Sequence, residues 1–399
     1  MVADIKESVR AVDASAVLEL LPRPPRLLAL GEPTHGEDAL LGLRNALFRQ
    51  LVEEGYRTIA VESDCLKGLL VDEYVTGGPG TLDRAMEVGF SHAWGAFPAN
   101  RELVRWMRAH NEARPASQRL RFAGFDGPLE ITAAASPRQA LTALHDHLAA
   151  RVDAGLLPCT ADALDDLLGP DDRWTDPAAM TDPARSVGRS AEAARLRLVA
   201  DDLVALLDTQ APHLAATASR EERERARLYG RTATGLLRYH RAMADTSPAR
   251  MTRLVTVRDQ MMAHNLLALA ERGPVFVHAH NSHLQRVKSS MRMWEGRVEW
   301  WSAGALVNAE LGEDYAFVAG ALGTIGHQGV DAPPPDTVEG LLYALGEDRC
   351  VVGAARLATA LGDPPPAPRE SPWFGYAPLD PDHLPHIDGV AFVRDAVPN

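Results

Sequence analysis

The strongest constraint on the fold lies between residues 26 and 63, which read strand, helix, strand. The aliphatic run RLLALGE (26–32) leads into GEDALLGLRNALFRQLVEEG, where Leu40, Leu43, Leu47 and Leu51 recur at helical spacing, and RTIAVES (57–63) follows. Gly55 stands where a helix would be stopped, because a residue without Cβ takes the left-handed turn at little cost. A βαβ unit commits its strands to a parallel pair joined by a right-handed crossover. Four further runs extend the sheet: LRFAGFD (120–126), PVFVHAHN (274–281), YAFVAGAL (315–322) and GVAFVRD (389–395). From about Ile131 to Arg272 strand signals vanish, alanine, leucine and arginine dominate, and Pro158, Pro170, Pro177 and Pro183 punctuate. The expected fold is a single α/β catalytic unit over 1–399. Its mostly parallel central sheet is flanked by helices, and a mainly helical insertion at 131–272 forms part of the active-site cleft. TDPAAMTDPARSVGRS reads as a loop between helices, and DPPPAPRESP as an extended surface connection.

Composition narrows the function classes. The formal charge of −13 argues against nucleic-acid or anionic-membrane partners, though not against a basic pocket on an acidic protein. Cys65, Cys159 and Cys350 are widely separated and fit no CxxC or zinc spacing, as in a cytoplasmic, disulfide-free protein. The start MVADIKESVRAVDAS lacks the apolar stretch of a signal peptide, and no apolar run reaches membrane-spanning length.

The strand ends carry the chemistry. Ligands of open parallel sheets bind outside the carboxyl ends of the strands, and four of these runs end in Glu32, Glu62, Asp126 and His280-Asn281. Together they describe a cleft lined by carboxylates and imidazoles, as proton transfer requires. His35 follows Glu32 by three residues and becomes its neighbour if the turn is helical. Arg44 lies nine residues beyond His35 and would point away from it if the helix began there. In VHAHNSH, strand alternation puts His278 and His280 on one face, with His283 in the turn beyond. Glu32, Glu62, His35, His280 and His283 are also plausible metal ligands, but no HExxH pattern accompanies them, and metal-free acid/base work is preferred. RDQMMAHNLLALAERG (258–273) reads as an amphipathic helix with Met261, Leu266 and Leu269 inward and Arg258 polar. No GxSxG is present and Cys65 has no evident histidine partner, so direct attack by water is preferred over an acyl-enzyme.

Taken in order, GEPTHG followed by Arg44, AVES with Glu62, GFD, RD..M..N and HN.H resemble the signature of the erythromycin esterase family from about residue 26 to 326, and DGVAFV fits as well. The resemblance implies a hydrolase that opens macrolactone rings, as in macrolide antibiotic resistance, with no required metal or cofactor and a hydrophobic ester as partner. It implies His35 as the general base, Glu32 and Glu62 orienting or tuning it, and Arg44 with His280 or His283 binding the ester and stabilising the oxyanion. Three segments depart from the family pattern. His278-Ala279 replaces Trp-Ala, His264 replaces the glutamate of MAEN, and SHAWGAFPANRE, with His92 and Trp94, replaces a Trp-x-Thr-x-Glu segment. With Asp126, Arg258 and Asn281, these residues form the expected substrate-binding set. The added His92, His264 and His278 leave open non-hydrolytic acid/base chemistry of secondary metabolism (cyclisation, elimination or epimerisation), and the fourteen histidines a metal- or haem-binding module without catalysis.

Overall fold

The computed structural model describes residues 5–130, 133–293, 296–362, 364–372 and 375–396. The chain divides into two compact units, one comprising the residues up to Phe125 and from Leu266 onward, the other Asp126–Asn265.

The first unit is built on a seven-stranded sheet. Its strands are β1 (Leu27–Glu32), β2 (Thr58–Asp64), β3 (Arg121–Asp126), β6 (Val275–His280), β9 (Tyr315–Ile325), β10 (Arg349–Gly353) and β11 (Gly389–Ala396). They lie in the order β10-β11-β9-β1-β6-β2-β3. Two short ladders stand outside it, β4 (Leu129–Glu130) with β5 (Ala133–Ala134) and β7 (Lys288–Met293) with β8 (Gly296–Trp301). β1 pairs in parallel with β6 and with β9, β2 with β6, and β11 with β9, whereas β10 runs antiparallel to β11. Every residue of β1 and β6 is buried, which is why these central strands begin as apolar runs without polar alternation, LLAL and VFV, before their polar ends. The sequence missed β10, whose five residues RCVVG lack length and alternation, and antiparallel edge addition requires no crossover to announce it.

The helix after β1 spans Asp38–Glu53 and buries Leu40, Leu43, Leu47 and Leu51, as the spacing predicted. These pack with Leu28, Leu30, Ile59, Phe276 and Val318 in the main apolar core, where each fully buried large side chain contributes roughly 1.5–3 kcal/mol. The proline-rich connection before β11 runs over the surface as expected, its described residues mostly exposed and without regular structure, but it is pinned at one point: Arg369 is buried and donates to the carbonyls of Leu322 and Gly323 and to the Tyr376 hydroxyl. A guanidinium has five donors, enough to tie a stretch without regular structure to β9.

The second unit is helical. Helix Arg220–Met243 packs against Arg138–Ala149 and Ala191–Thr209, burying Leu141, Leu144, Leu196, Leu203, Leu236 and Leu237. Ser219 and Glu222 close a capping box at its start. The segment read as a loop folds into short 3-10 turns at Pro177–Met180, Pro183–Arg185 and Val187–Arg189. Among the described residues, no helix is long and apolar enough to cross a membrane.

Candidate functional site

The first polar residue after the buried body of β1 is Glu32, itself only 2% exposed. The chain then turns through Pro33, Thr34, His35 and Gly36 before the helix begins at Asp38. Gly36 has φ +84°, a conformation that a side chain makes costly, and the Phe97 ring sits 3.2 Å from where its Cβ would be. The turn returns the His35 ring over the end of its own strand. His35 Nδ1 lies 2.7 Å from Glu32 Oε1, while the side chain keeps 36% of its surface open. With the Nδ1 proton donated to the carboxylate, the Nε2 lone pair is the basic position. Burial alone would lower the His35 pKa, but the charges of Glu62 and Glu32 and the hydrogen bond to Glu32 outweigh it, leaving the pKa above the ordinary 6.5. Burial would raise that of Glu32, and the imidazoles of His278 and His35 reverse it, so Glu32 titrates below the ordinary value.

Glu62, the second buried carboxylate, comes from β2. Its Oε2 accepts the backbone N–H of His280 at 2.9 Å, which ties the ends of β2 and β6 together. Its Oε1 faces two imidazoles, His283 Nε2 at 3.4 Å and His35 Nε2 at 3.8 Å. β6 also supplies His278, level with Leu30 of β1 and Val61 of β2, with Nε2 3.7 Å from Glu32 Oε2. Burial, followed by the opposing effects of Glu32 and Arg44, lowers the His278 pKa to about 4, so the ring is neutral at pH 7.

Arg44 is the cation of the site. Because the helix starts at Asp38 rather than at His35, Arg44 falls on its buried face instead of pointing away. Its Nε and Nη2 donate to Asn45 Oδ1 and its Nη2 also to Asn100 Oδ1, while Nη1 has no hydrogen bond among the described residues. Burial lowers its pKa to about 10, still charged at neutral pH. Arg44, Glu32, His278, Gly36, Trp94 and Phe97 are among the residues lining a narrow cavity with room for about one water molecule. Glu32 Oε2 accepts no hydrogen bond there among the described residues. The wall is shaped by His92 and Ala93, at φ 56° and 58°, left-handed values that cost non-glycine residues about 1–2 kcal/mol each. They deliver the Trp94 ring to 4.9 Å from His35, with His92 5.4 Å from Trp94.

Several predicted residues are committed to bonds of their own. His280 Nε2 sits 3.1 Å from the carbonyls of both Pro33 and Gly375, so it carries the proton, and Nδ1 accepts the Ser282 hydroxyl at 2.6 Å. Burial, opposed and reinforced by the surrounding charges, lowers its pKa to about 4. Asn281 spends its amide on Gly320, donating to the carbonyl at 2.8 Å and accepting the N–H at 3.0 Å. In the second unit, Arg258 forks onto Asp126, with Nη2 to Oδ2 at 2.8 Å and Nε to Oδ2 at 3.0 Å. His264 is exposed on the same helix. Sequence reasoning did not single out Glu37, buried directly behind His35, or its partners after β9, Gln328 Nε2 at 3.1 Å and His327 Nε2 at 3.5 Å. The available signal was a second acid in GEPTHGED. Burial, partly offset by His327, raises its pKa. Among the described residues, no group of three His, Cys, Asp or Glu side chains is arranged to hold a metal ion.

Residues 51–383 match the family model described as erythromycin esterase. A crystal structure of a Bacillus cereus protein superposes with a TM-score of 0.71 at 15% identity, covering 99% of this chain and 96% of the other. A succinoglycan biosynthesis protein gives 0.72 at 14% identity over 99% and 96%. A variant of the erythromycin esterase EreC in its open conformation gives 0.68 at 18% identity over 94% and 91%. No curated protein matches the chain significantly. The structural likenesses speak for the fold alone, whereas the family model spans most of the sequence: the chain belongs to the erythromycin esterase family.

Proposed function

We propose that this protein hydrolyses an ester or macrolactone of a hydrophobic natural product by direct attack of water, with His35 as general base and no covalent acyl-enzyme. The observation that carries the reading is the His35 ring itself, fixed through Nδ1 on buried Glu32 at 2.7 Å while Nε2 faces Glu62 from a partly open position. In the reaction, Nε2 takes a proton from water as its oxygen adds to the ester carbonyl. The tetrahedral adduct then collapses, the C–O bond to the alcohol breaks, and the imidazolium returns the proton to the leaving alkoxide. Arg44 supplies fixed positive charge for the oxyanion, with Nη1 as its uncommitted donor, and such preorganised charge is commonly the largest catalytic contribution. Trp94 and Phe97 provide the apolar wall for the substrate. His280 holds the turn through Pro33, and His283 with Glu62 completes the acid/base set.

The test is a mass-spectrometric screen of macrolactones and acyl esters in oxygen-18 water with the native chain and His35→Ala. Hydrolysis gives a product with one solvent oxygen, and the variant is expected to lose about 10³-fold in kcat/KM while retaining its melting temperature. Full activity in the variant overturns the role of His35. A second reading, proton transfer without hydrolysis, is favoured by the neighbourhood of three imidazoles (His35, His278, His283) and two carboxylates (Glu32, Glu62). It predicts a His35-dependent product without solvent oxygen.

A further inference from the structure

The helical unit holds a charged cleft that ester hydrolysis leaves unused. Arg238 and Arg241 stand three residues apart on helix Arg220–Met243 and so leave the same face. Arg253 and Thr256 have the same spacing on helix Arg250–Ala270, and Arg189 ends the turn Val187–Arg189. With Asp245 they line a cleft of about 300 Å³, at the lower end of the range for small-molecule sites.

Its electrostatics are unbalanced. Four guanidiniums face one carboxylate in a chain whose acids outnumber its bases 54 to 41, so arginine-rich composition does not account for the sign. Asp245 is fully engaged, accepting from Ser247 N at 3.0 Å, Ser247 Oγ at 3.1 Å, Arg189 at 3.1 Å and Arg253. Arg238 and Arg241 make no hydrogen bond or ion pair with any described residue. Like charges held together without a counterion repel, and an anion relieves that cost. On the neighbouring helix Arg250–Ala270, burial and then the charges of Arg231 and Arg238 lower the pKa of His264.

We propose that this cleft binds the phosphoryl group of a small phosphorylated or pyrophosphorylated compound, with Arg238 and Arg241 as the principal ligands. Paired guanidinium forks match the geometry of phosphoryl oxygens, and the Thr256 hydroxyl adds a neutral donor to the lining. The patch is concave and confined to a handful of residues on an acidic protein, which suits a small ligand better than a nucleic-acid backbone. The site is independent of the His35 cluster's activity.

The experiment is calorimetric titration of the full chain with sodium pyrophosphate and with inorganic phosphate, against sodium chloride at matched ionic strength. The expected result is saturable pyrophosphate binding that weakens at least tenfold in Arg238→Ser/Arg241→Ser and by an intermediate factor in Arg238→Lys/Arg241→Lys. Arg297→Gln, an exposed arginine on the β7–β8 hairpin, should bind as the native chain does. Heat that follows ionic strength without saturating, or equal affinity in the double serine variant, overturns the proposal. Both arginines are exposed, so the variants should keep the native melting temperature without ligand.

Discussion

Glu32 and Asp126 end two strands of one sheet, each almost fully buried and each paired with a basic side chain, at 2.7 Å to His35 and 2.8 Å to Arg258. The resemblance stops at the partner. A guanidinium keeps its proton at pH values near neutrality, so the Asp126–Arg258 pair holds shape. An imidazole titrates near neutrality, so the Glu32–His35 pair can hold a proton or release it. The carboxylates differ too. Asp126 also accepts the Gly127 N–H at 2.7 Å, whereas Glu32 Oε2 has no hydrogen bond among the described residues and borders the cavity with Arg44 and His278. Burial of an acid at a strand end therefore does not mark catalysis. The titratable partner and the uncommitted oxygen do.

The sharpest way to break this contrast is to neutralise each acid. Glu32→Gln is expected to lower kcat/KM by about 10²-fold or more with little loss of stability. Asp126→Asn is expected to cost about 2–3 kcal/mol in urea denaturation, because it strands a partly buried guanidinium, while turnover per folded molecule stays within a few-fold. The reverse pattern would remove the distinction. A smaller effect concerns pH. Since the His35 pKa is raised above 6.5 by Glu62 and Glu32 against burial, and the base form is the active one, kcat/KM should rise with pH through a value above 6.5 and then level. Glu62→Gln should move that rise to lower pH, and an unmoved profile would assign it to another group.

The smallest effect compares the two units in acid. Burial holds the pKa values of His278 and His280 in the sheet unit, and of His240 in the helical unit, near 4. Between pH 6.5 and about 4 the unfolded chain therefore binds more protons at these positions than the folded one, and stability falls as pH falls. His240→Asn should flatten that loss by about 1–2 kcal/mol between pH 7 and 4.5, read by urea denaturation at each pH.

Much of this was legible in the sequence because strand periodicity and strand-end chemistry are local signals. Six of the seven sheet strands announced themselves as aliphatic runs, and Glu32, His35, Glu62 and the histidines of VHAHNSH stood at their ends. What escaped depended on where a helix starts or on which nitrogen is already bonded. Arg44 looked misdirected until the turn at Gly36 delayed the helix to Asp38. His280 looked available until Pro33, Gly375 and Ser282 were found on its ring. Glu37 gained meaning only from a loop nearly three hundred residues away, where Gln328 reaches it. No window of sequence contains that pairing.

The Asn281 amide bridging to Gly320 has a consequence for how such a protein can diverge. A Cβ on Gly31 would lie 2.0 Å from Asn281 Oδ1, and one on Gly320 would lie 2.3 Å from the Gly31 carbonyl. Strands β1 and β9 and the short helix that follows β6 thus meet at a point where inheritance has almost no room to vary, directly beside the histidines. Residues 92–94 and Gly326–Gln328 lie outside the sheet ladder and carry no such restriction from it. A lineage acquiring new substrates would be expected to rewrite those segments first and leave the glycine–asparagine junction untouched.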